Sequence, residues 1–404
     1  MDVSEAVTIF KNARSLLYGN VDVHVSDGVI TSIAPAFSST SSKDSHIDAN
    51  GWLLLPPFVE PHAHLDKAFL SERIDNPTGD LMGAIRGIEA ARASLTRDDT
   101  IARAERAVRQ LATNGVHLVR SHADTTTDAD LQNVEALLEV KQRCADIIEL
   151  QVAALVGWPL SGRAGADNRA LARAAVAAGA DIIGGCPHLD EDPAEALRFL
   201  FELANELNVA LDLHADENTR ADSVDLERCA DMVIRSGSTI DIAASHCVAL
   251  GCQPEDIQHR VAEKVAQARV SVIALPMTNL YLQGRDLTHN VPRGLTPVNL
   301  LRSHGVNVAA GGDNLQDPFN PLGKGDPLET ATYMVLAGHC LIDDAFAAVT
   351  HRASTALGVA PVDISVGSNA NFFLIKSTSV RDALASQTHQ RIVVRHGRVL
   401  SARL

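Results

Sequence analysis

Residues 53–67 read LLLPPFVEPHAHLDK, an apolar run that ends on His62-Ala63-His64. Alternate residues of a β-strand point to one face, so a strand here sets the two imidazoles side by side, about 6 to 7 Å apart along the backbone. That spacing suits one divalent metal ion, because imidazole nitrogen is a good ligand for zinc or ferrous iron. Two ligands are too few for a catalytic site, and an isolated H-x-H is more often a pair of ordinary histidines. The other ligands have to come from elsewhere in the chain.

Further apolar strand candidates run at 116–124 (VHLVRSHAD), 148–156 (IELQVAALV), 181–188 (DIIGGCPH), 209–217 (VALDLHADE), 240–246 (IDIAASH), 270–276 (VSVIALP) and 306–313 (VNVAAGGD). With the first they make eight, the number that closes a parallel barrel. Between them lie segments with apolar residues three and four apart, such as DTIARAERAVRQLATNG at 99–115, where Gly115 is placed to cap a helix. Both ends of the chain are instead β-rich. Asp27-Gly28 and His396-Gly397 each separate two short runs and predict hairpins. The pattern predicts an α/β fold, a (β/α)8 TIM-type barrel over 56–359, with a small β-sandwich domain built from 1–55 and 360–404.

Composition narrows the function classes. Lys and Arg number 35 against 50 Asp and Glu, a net charge of -15, which excludes a nucleic-acid footprint and is read as solubility. No apolar run reaches the roughly 18 residues of a membrane helix. The six cysteines show no C-x-x-C spacing and no signal peptide is recognisable, so a cytoplasmic protein with reduced thiols is expected.

The polar residues at the strand ends belong together. Chemistry in such barrels gathers at the C-terminal rim. Strand one delivers His62 and His64, strand five ends in His214-Ala215-Asp216-Glu217, strand six in His246 and strand eight in Asp313. Taken singly, His214 or His246 has the ordinary alternative of a hydrogen-bonded core histidine, and Asp313 that of a helix cap. Jointly they point to a mononuclear metal site of histidines and one carboxylate, with a position left for water.

The stretches PPFVEPHAHLD, NGVHLVRSHAD, LEVKQ, ELQVAAL, LDLHADE, ASH, NLYLQGR, GVNV, DPFNPLG and GSNANFFLI resemble the amidohydrolase superfamily, and within it the cytosine deaminase group, over nearly the whole chain. The resemblance implies that His62, His64, His214 and Asp313 hold one divalent ion, zinc or iron. It implies Glu217 as proton shuttle and His246 as the group that positions the attacking water, with Asp313 accepting that water's proton. It also implies a homo-oligomer. Relatives with a second metal carry a lysine on strand four, and DIIGGCPH has none.

Three positions depart from the cytosine deaminase pattern. A glutamine that holds the pyrimidine amide after strand three is replaced by Gly157, in Val156-Gly157-Trp158-Pro159. A second aspartate after the metal aspartate is replaced by Asn314, and a tryptophan by Phe319. Asn314, Phe319 and Trp158 are therefore the candidate substrate-binding residues, with more open space expected beside Gly157 and an aromatic face from Trp158 or Phe319. The His-Leu-Asp-Lys turn with Lys67, and the Asp313-Asn314 pair, resemble the isopropylammelide amidohydrolases, which lack a glutamate at the position of Glu217. The expected activity is hydrolytic deamination of a small aminated nitrogen heterocycle other than cytosine. The alternatives are hydrolysis of a cyclic amide or an N-substituted amino-triazine, and a non-catalytic barrel scaffold.

Overall fold

The computed structural model describes residues 7–37 and 44–404; the parts of the expected N-terminal segment at 1–6 and 38–43 lie outside the described residues. Eight parallel strands pair in chain order: β1 (Phe58–Ala63), β2 (Val116–Thr125), β3 (Glu149–Val156), β4 (Ile182–Gly185), β5 (Ala210–Ala215), β6 (Ile242–His246), β7 (Ser271–Ala274) and β8 (Val308–Ala310). The ring closes just past β1 and β8. Asp313 N donates to His62 O at 3.0 Å and His64 N donates to Asp313 O at 3.2 Å, so the closing bridge is made by candidate site residues themselves.

The run at 53–67 is not one strand. Pro56 and Pro57 have no N–H to give a ladder. They separate Leu53–Leu55, which pairs with Phe372–Ile375, from β1, which pairs with β2. His62 is therefore inside a strand and His64 just beyond its end.

Helices return the chain after each strand. The helix Arg97–Thr113 buries Ile101, Ala104, Ala107, Val108 and Leu111, the three- and four-residue spacing of one face. Gly115 has φ +93° and its N–H donates to Ala112 O at 3.0 Å, so it ends that helix as expected. The helix Pro193–Leu207 starts on Asp192, whose side chain accepts from Glu195 N, with proline at its first position.

The chain ends form a second, mixed sheet. Its order is Arg398–Arg403, Arg391–Arg395, Phe372–Ile375, Leu53–Leu55, Thr8–Ser15, Gly19–Ser26 and Val29–Pro35, with Ser45–Asp48 also pairing Thr8–Ser15. Both predicted hairpins are present. Ser26 pairs Val29 around Asp27 and Gly28, Arg395 pairs Arg398 around His396 and Gly397, and all four turn residues have positive φ. Strand alternation divides the sheet's burial. Leu53, Leu55, Phe373, Ile375 and Val393 join the barrel's outer core, whereas Leu54, Phe372, Leu374, Ile392 and Val394 pack with Phe10 and Val23 in a core of the sheet's own. Phe58 stacks on Phe373 at 4.7 Å and joins the two parts. Among the described residues no helix is long and apolar enough to cross a membrane, and all six cysteines are free thiols.

Candidate metal centre and active site

The barrel interior is built in tiers by the two-residue period of its strands. On β2, Arg120, His122 and Asp124 share a face, as do Asp212 and His214 on β5. The lower tier is a buried charge network in which Arg120 Nη1 donates to Asp212 Oδ2 at 2.6 Å, and Arg120 Nε donates to Gln151 Oε1 at 3.0 Å. Glu60, two residues before His62, accepts from Gly312 N at 2.9 and 3.0 Å and from His62 N at 3.2 Å. Burial pushes its carboxyl up to about 8, against the pull of those backbone donors.

Above this tier three ring nitrogens meet. His62 Nε2 lies 3.3 Å from His64 Nε2 and 3.1 Å from His214 Nε2, and the last two are 3.2 Å apart. Asp313 Oδ1 stands 3.6 Å from His62 Nε2 and 3.3 Å from His64 Nε2. Ligand atoms about 2.0 to 2.1 Å from one tetrahedral ion lie about 3.3 to 3.4 Å from each other. The spacing is that of a ligand shell, and three facing Nε2 atoms cannot each donate to the others. Burial, then the neighbouring histidines, push His62 and His214 well below the usual histidine range, which leaves them neutral with lone pairs to offer. Both oxygens of Asp313 are buried without a hydrogen-bond partner. A buried carboxylate facing converging lone pairs is unstable without a cation, so the donor set fits one divalent ion.

His122 and Asp212, with His62, form another group of close ligand atoms, but Asp212 is already paired with Arg120. A cation there would have to displace a guanidinium. His62, His64, His214 and Asp313 are the better donor set.

Left-handed backbone turns the rim residues inward. Asp216, His246 and Asp313 have φ of 53°, 68° and 63°, a region that residues with a Cβ rarely occupy and that clusters at functional sites. Asp216 is held by its side chain, which accepts from Asp225 N, Leu226 N and Ser223 Oγ. That cap leaves Glu217, one residue on, free to face the cavity. Its Oε1 is 3.6 Å from His246 Nδ1. Burial, then the charge of Asp313, push the Glu217 carboxyl well above its usual range. His246 Nδ1 lies 2.9 Å from Asn279 Oδ1, a pure acceptor, so Nδ1 carries the hydrogen and Nε2 is left as an acceptor near His62 and His214.

A cavity of about 330 Å³ opens over this cluster. Trp158, Phe319 and Asn314 all line it. Phe319 also packs on Leu70, Ile74, Ile88 and Leu95. Asn314 is engaged at both ends of its amide: Thr278 Oγ1 donates to Oδ1 at 3.1 Å, and Nδ2 donates to Asp317 Oδ2 at 2.8 Å. Gly157 itself lines the cavity, with Thr126 beside it. A Cβ there would stand 2.8 Å from Thr126 Cγ2, just past β2, so a side chain at this position would need Thr126 to shift.

Sequence reading missed Glu60, Arg120, His122, Asp212, Ser245 and Asn279. The parity of Arg120, His122 and Asp124 with one another was the available signal for β2. Nothing local marked Asn279, which comes from the helix Pro276–Leu282.

An amidohydrolase family model matches residues 69–401. The pterin deaminase of Rhizobium rhizogenes is 31% identical over 389 residues, covering 95% of this chain and 88% of its own. The crystal structure of 5-methylcytosine deaminase from Klebsiella pneumoniae, liganded with 5-fluorocytosine, superposes with a TM-score of 0.89 at 31% identity over 98% of both chains. That of N-isopropylammelide isopropylaminohydrolase from Burkholderia multivorans gives 0.84 at 26% identity, again over 98% of both. The chain belongs to the amidohydrolase family, hydrolases of carbon–nitrogen bonds.

Proposed function

We propose that this protein hydrolyses the exocyclic amine from a small nitrogen heterocycle, using one zinc or iron ion held by His62, His64, His214 and Asp313. The observation that carries the reading is the juxtaposition of the three Nε2 atoms, the unpartnered Asp313 carboxylate and the buried Glu217 carboxyl at one cavity. A divalent ion in that shell supplies Lewis acidity and makes hydroxide available near pH 7. The second oxygen of Asp313 accepts the proton of the attacking water, and His246 Nε2 holds that water as a hydrogen-bond acceptor. Glu217 protonates the ring nitrogen beside the amine-bearing carbon; the proton taken up by Asp313 is passed to the departing amine, and the remaining hydroxyl proton of the adduct returns to Glu217 as the carbonyl forms and the amine leaves. Trp158 and Phe319 offer flat faces for the ring.

Two of the relatives are deaminases by name, one of a pterin and one of 5-methylcytosine. Loss of an amine from a triazine is the second reading, favoured by the isopropylammelide relatives and by Lys67. Glu217 favours deamination. The test is a screen of aminated pyrimidines, pterins and triazines for release of ammonia or alkylamine by metal-loaded protein. Cytosine is expected to be poor, with kcat/KM below about 10⁵ M⁻¹s⁻¹, and a larger or differently substituted ring better. Ring opening without amine release would overturn the proposal. The same reading takes the protein as a cytoplasmic homo-oligomer with a small-molecule partner and no nucleic acid, divided at residues 56 and 359 into barrel and composite β domain. Its net charge of -15 and free thiols support that placement.

A further inference from the structure

One wall of the cavity carries a charge pair that the proposed mechanism does not use. Lys67 and Asp124 both line the cavity and pair with each other, Lys67 Nζ donating to Asp124 Oδ1. Lys67 Nζ also reaches Asp66 Oδ2 at 3.4 Å. An ammonium has three N–H groups, so one stays free. Asp124 Oδ2 has Arg92 Nη2 at 3.5 Å, too long for a hydrogen bond, and keeps lone pairs to offer.

The pair is held rigidly. Asp124 N donates to Asp66 Oδ2 at 3.0 Å, Lys67 N donates to His64 O at 3.1 Å, and Arg103 Nη1 clamps the turn through Asp66 O at 2.6 Å and Ala68 O at 3.0 Å. A pair fixed in this way is preorganised for recognition. Its Lys67 side chain is only 6% exposed, and ions so buried cost stability unless they are used.

Two other polar side chains of this wall are already engaged: Asn314 is bound at both ends, and Thr126 Oγ1 donates to Asp128 Oδ1. The amide nitrogen of Asn168 donates to Pro159 O at 3.0 Å, and its buried Oδ1, which has no partner, can only accept, so it cannot serve a ring carbonyl. At Gly157 no side chain exists, and Thr126, just past β2, stands beside it. A glutamine presents one donor and one acceptor to a cyclic amide. Lys67, in the loop after β1, and Asp124, near the end of β2, present the same two functions. Cys186, just past β4, lines the same cavity as Glu217 and both members of the pair.

Resting on the deaminase reading, we infer that the Lys67–Asp124 pair reads a cyclic amide edge of the substrate: Lys67 Nζ donates to the ring carbonyl and Asp124 Oδ2 accepts the ring N–H. The substrate class is then an aminated heterocycle that also carries a lactam, presented so that Glu217 meets a ring nitrogen beside the amine. Rings with an amine but no lactam are discriminated against, because they leave a buried ion pair without its partner groups.

The experiment is a cycle between protein and substrate groups. Metal-loaded wild type, Lys67→Met and Asp124→Asn are assayed on pterin and 5-methylcytosine and on the analogues without the ring carbonyl, 2-aminopteridine and 4-amino-5-methylpyrimidine. Removing the carbonyl is expected to cost wild type about 10- to 100-fold in kcat/KM, the range for a hydrogen bond to a charged group. Lys67→Met is expected to lose a similar factor on the lactam substrate and little more on the analogue. An equal loss on both substrates, or a loss below about threefold when wild type meets the analogue, overturns the inference. Metal content and melting temperature are read for each variant. Should Lys67→Met fail to fold, the wild-type substrate comparison and Asp124→Asn decide. If wild type releases no amine from any of the rings, the deaminase reading itself fails; calorimetric binding of the lactam products then tests the pair separately, with equal affinity for wild type and Asp124→Asn overturning it.

Discussion

The hydroxyl of Ser245 lies 2.8 Å from Nδ1 of His62, at the ring edge opposite the Nε2 cluster. The same oxygen donates to Asp212 Oδ1 at 3.3 Å, so its acceptor lone pair meets Nδ1–H and Nε2 is left unprotonated. The chain Arg120, Asp212, Ser245, His62 thus sets the tautomer of a candidate ligand from the tier below. Outer partners of this kind orient ligands, and their loss costs about 10- to 100-fold in metal affinity. Ser245→Ala, which changes volume little, is expected to fold and to bind zinc about 10- to 100-fold more weakly in a competition titration with a chelator. Unchanged affinity would show that His62 holds its tautomer without help.

His214→Ala removes one corner of the Nε2 triangle and leaves Asp313 facing two imidazoles. Metal measured by mass spectrometry after gel filtration is expected to fall to a small fraction of one equivalent per chain. Retention of a full equivalent would move the ion to another of the clustered groups, such as that of His62, His122 and Asp212.

Glu217→Gln keeps the shape of the side chain and removes its proton chemistry. Metal content is expected to stay at the wild-type level while kcat falls by about 10² to 10⁴. Because burial raises the Glu217 pKa, the protonated form is held to higher pH than in a free glutamate and is lost as pH rises. The wild-type rate should therefore decline on its alkaline limb, and the Gln variant should lack that limb. Parallel loss of metal would make Glu217 a ligand.

Asp124 gives a stability prediction with a defined window. Burial would raise its pKa, but Lys67 and Arg92 outweigh that and hold it at about 2, below the ordinary 3.8. A depressed carboxylate stabilises the fold above its unfolded pKa and loses that contribution as pH falls through the folded value. Asp124→Asn is expected to be less stable than wild type by about 2 kcal/mol at pH 6. The gap should shrink between about pH 4 and pH 2. Denaturant melts of both proteins across that range check it; a gap independent of pH would mean the loss is packing, not charge.

Much of the fold was legible because its signals are local. Alternation of apolar strands with helical segments named the barrel, and Gly28 and Gly397 marked the hairpins, since backbone period and turn conformation depend on neighbours in sequence. The reading failed where two prolines cut 53–67 into strands of different sheets, a choice made by which partner strand is near.

For the candidate site, the sequence by itself pointed to the donor types: His62 and His64 by parity, and His214, His246 and Asp313 by their places at the ends of strands five, six and eight, with the role of Glu217 implied by the family resemblance. Only the tertiary structure decided what surrounds them. Ring closure brings His62 within 3.1 Å of a nitrogen 152 residues away and sets Ser245 behind it. It also sets Thr126 beside Gly157 and turns Lys67 onto Asp124, 57 residues on. The physical reason is that a ligand's chemistry is carried by its own side chain, whereas its tautomer, its charge and the room beside it are set by groups that only chain closure makes neighbours.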